Sequence, residues 1–322
     1  MTAVRCAILD DYQDAALGAA GWTSLAPAVA ISRFADNVAD RDGLARRLAA
    51  FEIVVAMRER TTFDAALFAR LPNLKLLVTT GMVNAAIDMA AAKAAGVTVV
   101  GTRGSVGPAA ELAWGLLLAL LRNIPAENAN FHASGAQWQL TTGRDLQGRT
   151  LGVVGLGKLG QRVIAYGKAF GMDVVGWSKN STPERCEGLG IGHAASLHDL
   201  LARVDVVSLH LTLNAETRGI IGAAEFERMK PGAVFVNTSR GPLVDEAALV
   251  AALRGGRLAG AGLDTFDTEP LPLDHALRGL PNVIATPHLG YVTDETYRIY
   301  YGDAVEDIRA WLDGNPVRIL NP

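Results

Sequence analysis

Short apolar runs rich in β-branched residues recur along this chain. They alternate with Ala/Leu-rich stretches whose apolar positions repeat every three or four residues. The runs read as strands and the longer periodic stretches as helices, so the pattern predicts βα units and parallel sheets. Strands are expected near 4–9, 53–56, 75–78 and 97–100, with helices between them near 41–50, 63–70 and 87–95. A second series begins at TLGVV (150–154) and continues with DVVGW, DVVSLH, AVFVN, AGAGLD and VIATP. Its strand count matches a dinucleotide-binding fold. One long helical pattern, from about Pro108 to Asn123, separates the two series, and another, from about Thr293 to Trp311, follows the second. The last helix either closes the second domain or crosses back to the first; periodicity fits both.

A length of 322 residues favours two domains over one and supplies ample core. The net charge of −3 shows no basic excess, which argues against nucleic acid or an anionic membrane as a partner. Cys6 and Cys186 have neither metal nor redox spacing and fit a reducing compartment, so no metal site is expected. The N-terminal stretch MTAVRCAILDDYQ lacks a signal-peptide apolar region. The longest apolar run, LAWGLLLALL, is far shorter than the roughly 20 residues that cross a bilayer. A buried or interfacial helix in a cytoplasmic protein is expected instead.

Residues 151–160, LGVVGLGKLG, set Gly155, Gly157 and Gly160 in G-x-G-x-x-G spacing, with Lys158 and Leu159 between the last two. The motif follows a strand and opens the helical pattern KLGQRVIAYGKAF, which is the context a dinucleotide site requires. The first glycine permits the tight turn and the second lets backbone approach a pyrophosphate. The third allows close helix–sheet packing, and the helix N-terminus binds the anion. A merely structural turn is the bland alternative, and the context favours the site. The next strand ends in GWSKN. NAD sites usually carry an acid there for the ribose hydroxyls. With Ser178 and Lys179 in its place, no carboxylate repels a 2′-phosphate. Lys179 either attracts one or faces solvent, so NADP is expected to be tolerated beside NAD.

Three charged residues stand at the ends of three later strands: Arg240 after AVFVNTS, Glu269 after AGAGLDTFDT, and His288 after VIATP. Singly they read as a salt-bridge partner, turn chemistry and a packing histidine. Ligands of open parallel sheets bind at the carboxyl ends of strands, so the three together, downstream of a dinucleotide loop, point to catalysis. A guanidinium grips a carboxylate with two parallel hydrogen bonds, which lysine cannot do. A carbonyl receiving hydride also needs a proton; imidazolium is its natural donor, and a neighbouring carboxylate favours that charged form. Such acid catalysis is typically worth about 10²–10⁴ in rate.

With these residues in hand, the sequence closely resembles the D-isomer-specific 2-hydroxyacid dehydrogenases over nearly its whole length. TLGVVGLGKLG, VNTSRGPLVDEAAL, AGLDTFDTEPLP and TPHLGYVT occur in the family's order and spacing. The resemblance implies that Arg240 binds the substrate carboxylate and polarises the carbonyl, with His288 as acid/base and Glu269 as its partner. It implies that Asp264 holds the nicotinamide carboxamide and that backbone at Asn237, Thr238 and Ser239 contacts the cofactor. It also implies an α/β architecture of two Rossmann-like domains. The dinucleotide-binding domain (102–291) would be inserted into a flavodoxin-like substrate domain (1–101 and 292–322). Family members commonly dimerise around the region of the 108–123 helix, which would explain its apolar character; burial between domains is the competing account. TTGMVNAAID (79–88) matches the substrate-domain loop whose backbone N–H groups help bind the carboxylate, here at Gly81, Met82 and Val83. Val83 stands where many members have glycine, which changes the loop's shape and size preference.

The expected reaction is reversible hydride transfer between NAD(P)H and a small 2-oxo acid, giving a D-2-hydroxy acid. Glyoxylate, hydroxypyruvate, pyruvate-like acids and 3-phosphohydroxypyruvate are candidate substrates. The last needs an additional cationic pocket, for which Arg58 and Arg103 lie near strand ends. Formate dehydrogenase fits poorly, because that relative has glutamine where Glu269 stands. An NAD(H)-sensing corepressor, a binding protein with little turnover, is the competing class. A methyltransferase predicts no such convergence of arginine, glutamate and histidine.

Overall fold

Five strands pair in parallel to form the first sheet: β1 (Val4–Ile8), β2 (Val29–Arg33), β3 (Ile53–Ala56), β4 (Leu76–Thr79) and β5 (Thr98–Gly101). Their order, β2-β1-β3-β4-β5, is that of flavodoxin-like folds. The computed structural model describes residues 3–322. β3 and β4 are buried along their whole length, as their unbroken apolar runs require. β2 was not expected from the sequence. It is an edge strand with one fully buried residue, Val29, so it carries too short an apolar signal to stand out.

A second, all-parallel sheet contains β6 (Thr150–Val154), β7 (Asp173–Trp177), β8 (Gly192–His193), β9 (Val206–Leu209), β10 (Ala233–Asn237), β11 (Leu258–Leu263) and β12 (Val283–Ala285). The order is β12-β11-β10-β9-β6-β7-β8. It is the doubly wound dinucleotide order with one further strand at the β12 edge. The expected six strands omit β8, whose two residues are too few to show a period. One face packs Leu151, Val153, Val206, Val234 and Val236 against the helices Gly107–Leu121 and Lys158–Ala169. The other buries Val154, Val207, Leu209, Phe235 and Leu263. The glycines of AGAGL now have a reason. A Cβ on Gly260 would lie 2.9 Å from Leu120 Cδ1, and one on Gly262 would lie 3.1 Å from Leu116 Cβ.

The chain divides into two compact units, one comprising residues up to Ser105 together with Val292–Pro322, the other Val106–Tyr291. The helix Asp294–Leu312 belongs to the first unit, which settles its destination. Thr293 caps it by accepting the Thr296 N–H, and Tyr297 Oη donates to Gln13 Oε1 at 2.9 Å. Tyr301, buried on the same helix, packs on Trp22 with ring centroids 6.0 Å apart. Beyond the helix the chain runs antiparallel to β5: Gly101 N–H donates to Arg318 O at 3.0 Å, and Leu320 N–H to Val99 O at 2.8 Å.

The helix Gly107–Leu121 buries Ala110, Ala113, Trp114, Leu116, Leu117 and Leu121 inside the second unit. At these positions the apolar character is accounted for by packing within that unit. The exposed apolar residues come afterwards: Ile124 and Phe131 on the unanticipated helix Ile124–His132, then Trp138 and Leu140. The two helices meet at a bend of 66°, and no single helix among the described residues is long and apolar enough to cross a membrane.

Candidate active site

The glycine loop joins β6 to the helix Lys158–Ala169. Gly155 has φ +105°, and a Cβ there would lie 2.4 Å from His210 O. Gly160 packs on the loop itself, where a Cβ would meet Gly155 O at 2.0 Å. Gly157 differs. It occupies the N-cap without a side-chain cap, and no atom lies within 4 Å of where its Cβ would be. The first and third glycines are thus demanded by packing, and the second by an open approach to uncapped helix N–H groups. That arrangement fits the pyrophosphate of a dinucleotide. Lys158 and Leu159 begin the helix beyond it. At the end of β7, Ser178 N–H donates to Ser181 Oγ, and Lys179 Nζ lies 2.6 Å from Glu216 Oε2 in an exposed ion pair.

The carboxyl ends of β10 to β12 supply the charged groups. Asn237 ends β10; its side chain accepts the Ser239 N–H and donates to Arg240 O, folding the turn that carries Arg240. Ser239 Oγ donates to Leu209 O, tying that turn to β9. Arg240 Nη1 donates to Ser239 O at 2.8 Å. The following glycine is obligatory: a Cβ on Gly241 would lie 1.9 Å from the carbonyl carbon of Phe266. Through that contact the Arg240 turn lies directly against the turn that carries Glu269. Glu269 Oε1 accepts the Phe266 N–H at 2.9 Å, and Oε2 is 2.7 Å from His288 Nδ1. The imidazole side chain is 18% exposed and the carboxylate 34%, so the pair is screened but reachable.

His288 has φ +55°, a left-handed conformation costly for a non-glycine residue. Asp264, just after β11, accounts for it. Its Oδ1 accepts from Thr286 Oγ1 at 2.5 Å and from Leu289 N–H at 2.7 Å, and Oδ2 accepts the Gly290 N–H at 2.8 Å. These bonds clamp the backbone on both sides of His288. Asp264 is fully buried, and burial raises its pKa against the pull of those donors. It is therefore first a clamp on the histidine turn, with one acceptor direction of Oδ2 left over.

His210 was not singled out from the sequence, although it ends DVVSLH beside the glycine loop. Its Nε2 is 2.7 Å from Ser208 Oγ, while Nδ1, like Thr238 Oγ1, is buried without a partner among the described residues. Burial pushes its pKa down to about 3, so the ring is neutral. The signal was a polar residue directly after a strand.

The loop at Gly81 to Val83 lies in the first unit. Gly81 has φ +96°, and its N–H is donated to Thr102 Oγ1 at 2.8 Å. Met82 and Val83 are 46% and 71% exposed. Arg58 Nη1 donates to Thr80 O, and the guanidinium covers Gly81 so closely that a Cβ there would lie 1.8 Å from Nη1. Arg103, by contrast, is bound to Asp303 through its backbone N–H, Nε and Nη2.

Residues 114–290 match the family model described as D-isomer specific 2-hydroxyacid dehydrogenase, NAD binding domain. The chain is 41% identical over 276 residues to the D-3-phosphoglycerate dehydrogenase of Mycobacterium bovis, covering 85% of this chain and 52% of that protein. It is 38% identical to the glyoxylate reductase of Aeropyrum pernix, covering 80% and 79%. A crystal structure of a phosphoglycerate oxidoreductase from Vibrio cholerae superposes with a TM-score of 0.91 at 40% identity, covering 97% of this chain and 99% of that one. The chain spans about half the length of the phosphoglycerate dehydrogenases it matches first.

Proposed function

The chain belongs to the D-isomer-specific 2-hydroxyacid dehydrogenase family, and on that premise we propose that it reduces a small 2-oxo acid reversibly to the D-2-hydroxy acid. The observation that carries the reading is the Glu269–His288 pair at 2.7 Å, on a turn packed against the Arg240 turn, in the unit that holds the glycine loop. NAD(H), when bound, supplies or accepts the hydride. The uncapped N–H groups beyond Gly157 bind the pyrophosphate, the backbone of Asn237, Thr238 and Ser239 borders the cofactor, and the spare acceptor of Asp264 Oδ2 takes the carboxamide. Arg240 grips the substrate carboxylate and polarises the carbonyl. His288 donates the proton to the carbonyl oxygen, and Glu269 holds its ring through Nδ1 and stabilises the charged form.

In the first unit the N–H groups of Met82 and Val83, held by no protein acceptor among the described residues, are open to a carboxylate. Arg58 is the cation beside that loop, so an anionic group bound there would meet it, whereas Arg103 is taken up by Asp303. No carboxylate follows β7, so NADP is tolerated, although the ion pair with Glu216 weakens the pull of Lys179 on a 2′-phosphate. Ile124, Phe131, Trp138 and Leu140 form the apolar surface through which we propose homodimerisation. The buried free thiols of Cys6 and Cys186 suit the cytoplasm.

Cofactor absorbance decides the central claim. Purified protein is offered NADH or NADPH with a panel of 2-oxo acids, phosphorylated and not. Turnover of one pair is expected, with His288→Ala slowing it about 10²-fold or more while cofactor still binds. Wild-type turnover in that variant would remove His288 from the mechanism. Cofactor binding without turnover on any acid would favour a sensor.

A further inference from the structure

Glu246 is the first residue of the helix Glu246–Arg254 and lies in the sequence stretch that carries Arg240, yet the mechanism gives it no part. Its Oε1 accepts the Asp267 N–H at 2.7 Å, and its Oε2 lies 3.4 Å from His275 Nε2. The preceding amide, that of Phe266, donates to Glu269. Two adjacent N–H groups of one turn are thus divided between two carboxylates. One carboxylate faces the histidine, and the other anchors the turn to the helix that follows Arg240. The side chain of Glu246 is 17% exposed and that of His275 is 24% exposed, while the Asp267 that Glu246 anchors is itself exposed.

We propose that Glu246 is the positioning residue of the acid/base pair: by holding the Asp267 N–H it fixes the Phe266–Glu269 turn, and with it the carboxylate of Glu269 against His288. The proposal rests on the roles assigned above to Glu269 and His288. What it requires of position 246 is reach and an acceptor oxygen, not charge. Glutamine supplies both. Aspartate keeps the charge but ends about 1.5 Å short, one carbon–carbon bond. A purely structural role of the charge, as an acid favoured in the first turn of a helix, ranks the two in the opposite order.

The test compares wild type, Glu246→Asp and Glu246→Gln by two readouts. One is the downfield NMR resonance of the His288 Nδ1 proton shared with Glu269; the other is steady-state kinetics with NADH and a 2-oxo acid. Glu246→Asp is expected to broaden or lose the resonance and to cut kcat roughly tenfold, a fraction of what general acid catalysis contributes. KM and cofactor affinity stay within about twofold, because no substrate or cofactor contact is changed. Glu246→Gln retains the resonance and the rate. A wild-type resonance and rate in Glu246→Asp would overturn the proposal, as would equal damage in both variants. The resonance reports on the pair without turnover. If wild type reduces no 2-oxo acid but Glu246→Asp still loses the resonance, the positioning role stands and the dehydrogenase reading falls.

Discussion

Arg240 shows what a single side chain contributes that its charge alone does not. Its turn is built by Asn237 and Ser239 and sealed by Gly241, so the guanidinium is presented from a fixed backbone. Arg240→Lys keeps the cation but loses the two-pronged grip. We expect kcat/KM to fall about 10- to 100-fold, the loss of one charge-assisted hydrogen bond of about 1.5–3 kcal/mol, with cofactor affinity unchanged in a binding titration. Full activity would show that the carboxylate binds elsewhere. At this scale the sequence was readable wherever a residue type is rare for its place, as with an arginine, a glutamate and a histidine at strand ends. It was silent on Glu246, whose partners Asp267 and His275 lie far along the chain, and on His210, whose burial is made by tertiary packing. It also gave no hint that Thr102 would take the Gly81 N–H.

Among the elements, the meeting of two turns at Gly241 matters most. A methyl group there would press on the Phe266 carbonyl carbon and oxygen and on the Asp267 nitrogen, all backbone atoms that cannot swing aside. Gly241→Ala should therefore displace the Glu269 turn at a cost of about 1–3 kcal/mol. It should lower the melting temperature and turnover together, while cofactor binding at the glycine loop persists. Unchanged melting and activity would mean that the two turns are free to part. Every strand but β2 and β8 was legible in the sequence, since each carries an apolar run long enough to stand out. β2 and β8 escaped because an edge strand and a two-residue strand bury too little to impose a pattern. The helix Ile124–His132 escaped because none of its residues is fully buried.

At the scale of the whole molecule, the first unit is completed by residues that follow the second. Their fastening includes Asp307, fully buried on the returning helix. Its Oδ1 accepts from Arg318 Nε at 2.9 Å, and its Oδ2 has no partner among the described residues. Burial, with smaller contributions from Asp303 and Glu306, pushes its pKa up to about 7 against the pull of Arg318. Between 3.8 and about 7 the folded protein thus holds a proton that the unfolded chain has released, so this group's stabilising contribution falls as pH rises through that window. Denaturant unfolding of wild type and Asp307→Asn at pH 6 and pH 8 should show wild type gaining on the variant at pH 6. A difference independent of pH would refute the assignment. Periodicity left the destination of this helix open. The family resemblance pointed to the first unit, and there the packing of Tyr297 and Tyr301, which periodicity does not encode, docks the helix.

That same discontinuity sets an order of maturation on the ribosome. The strands of the first unit are translated early, but the helix that covers Trp22 and the segment that borders β5 are made only after the entire second unit. Throughout that interval the nucleotide-binding unit can finish folding while its host stays unfinished, with one edge of β5 open to any neighbouring strand. A nascent chain stalled before Asp294 would offer that edge to chaperones, or to another copy of itself.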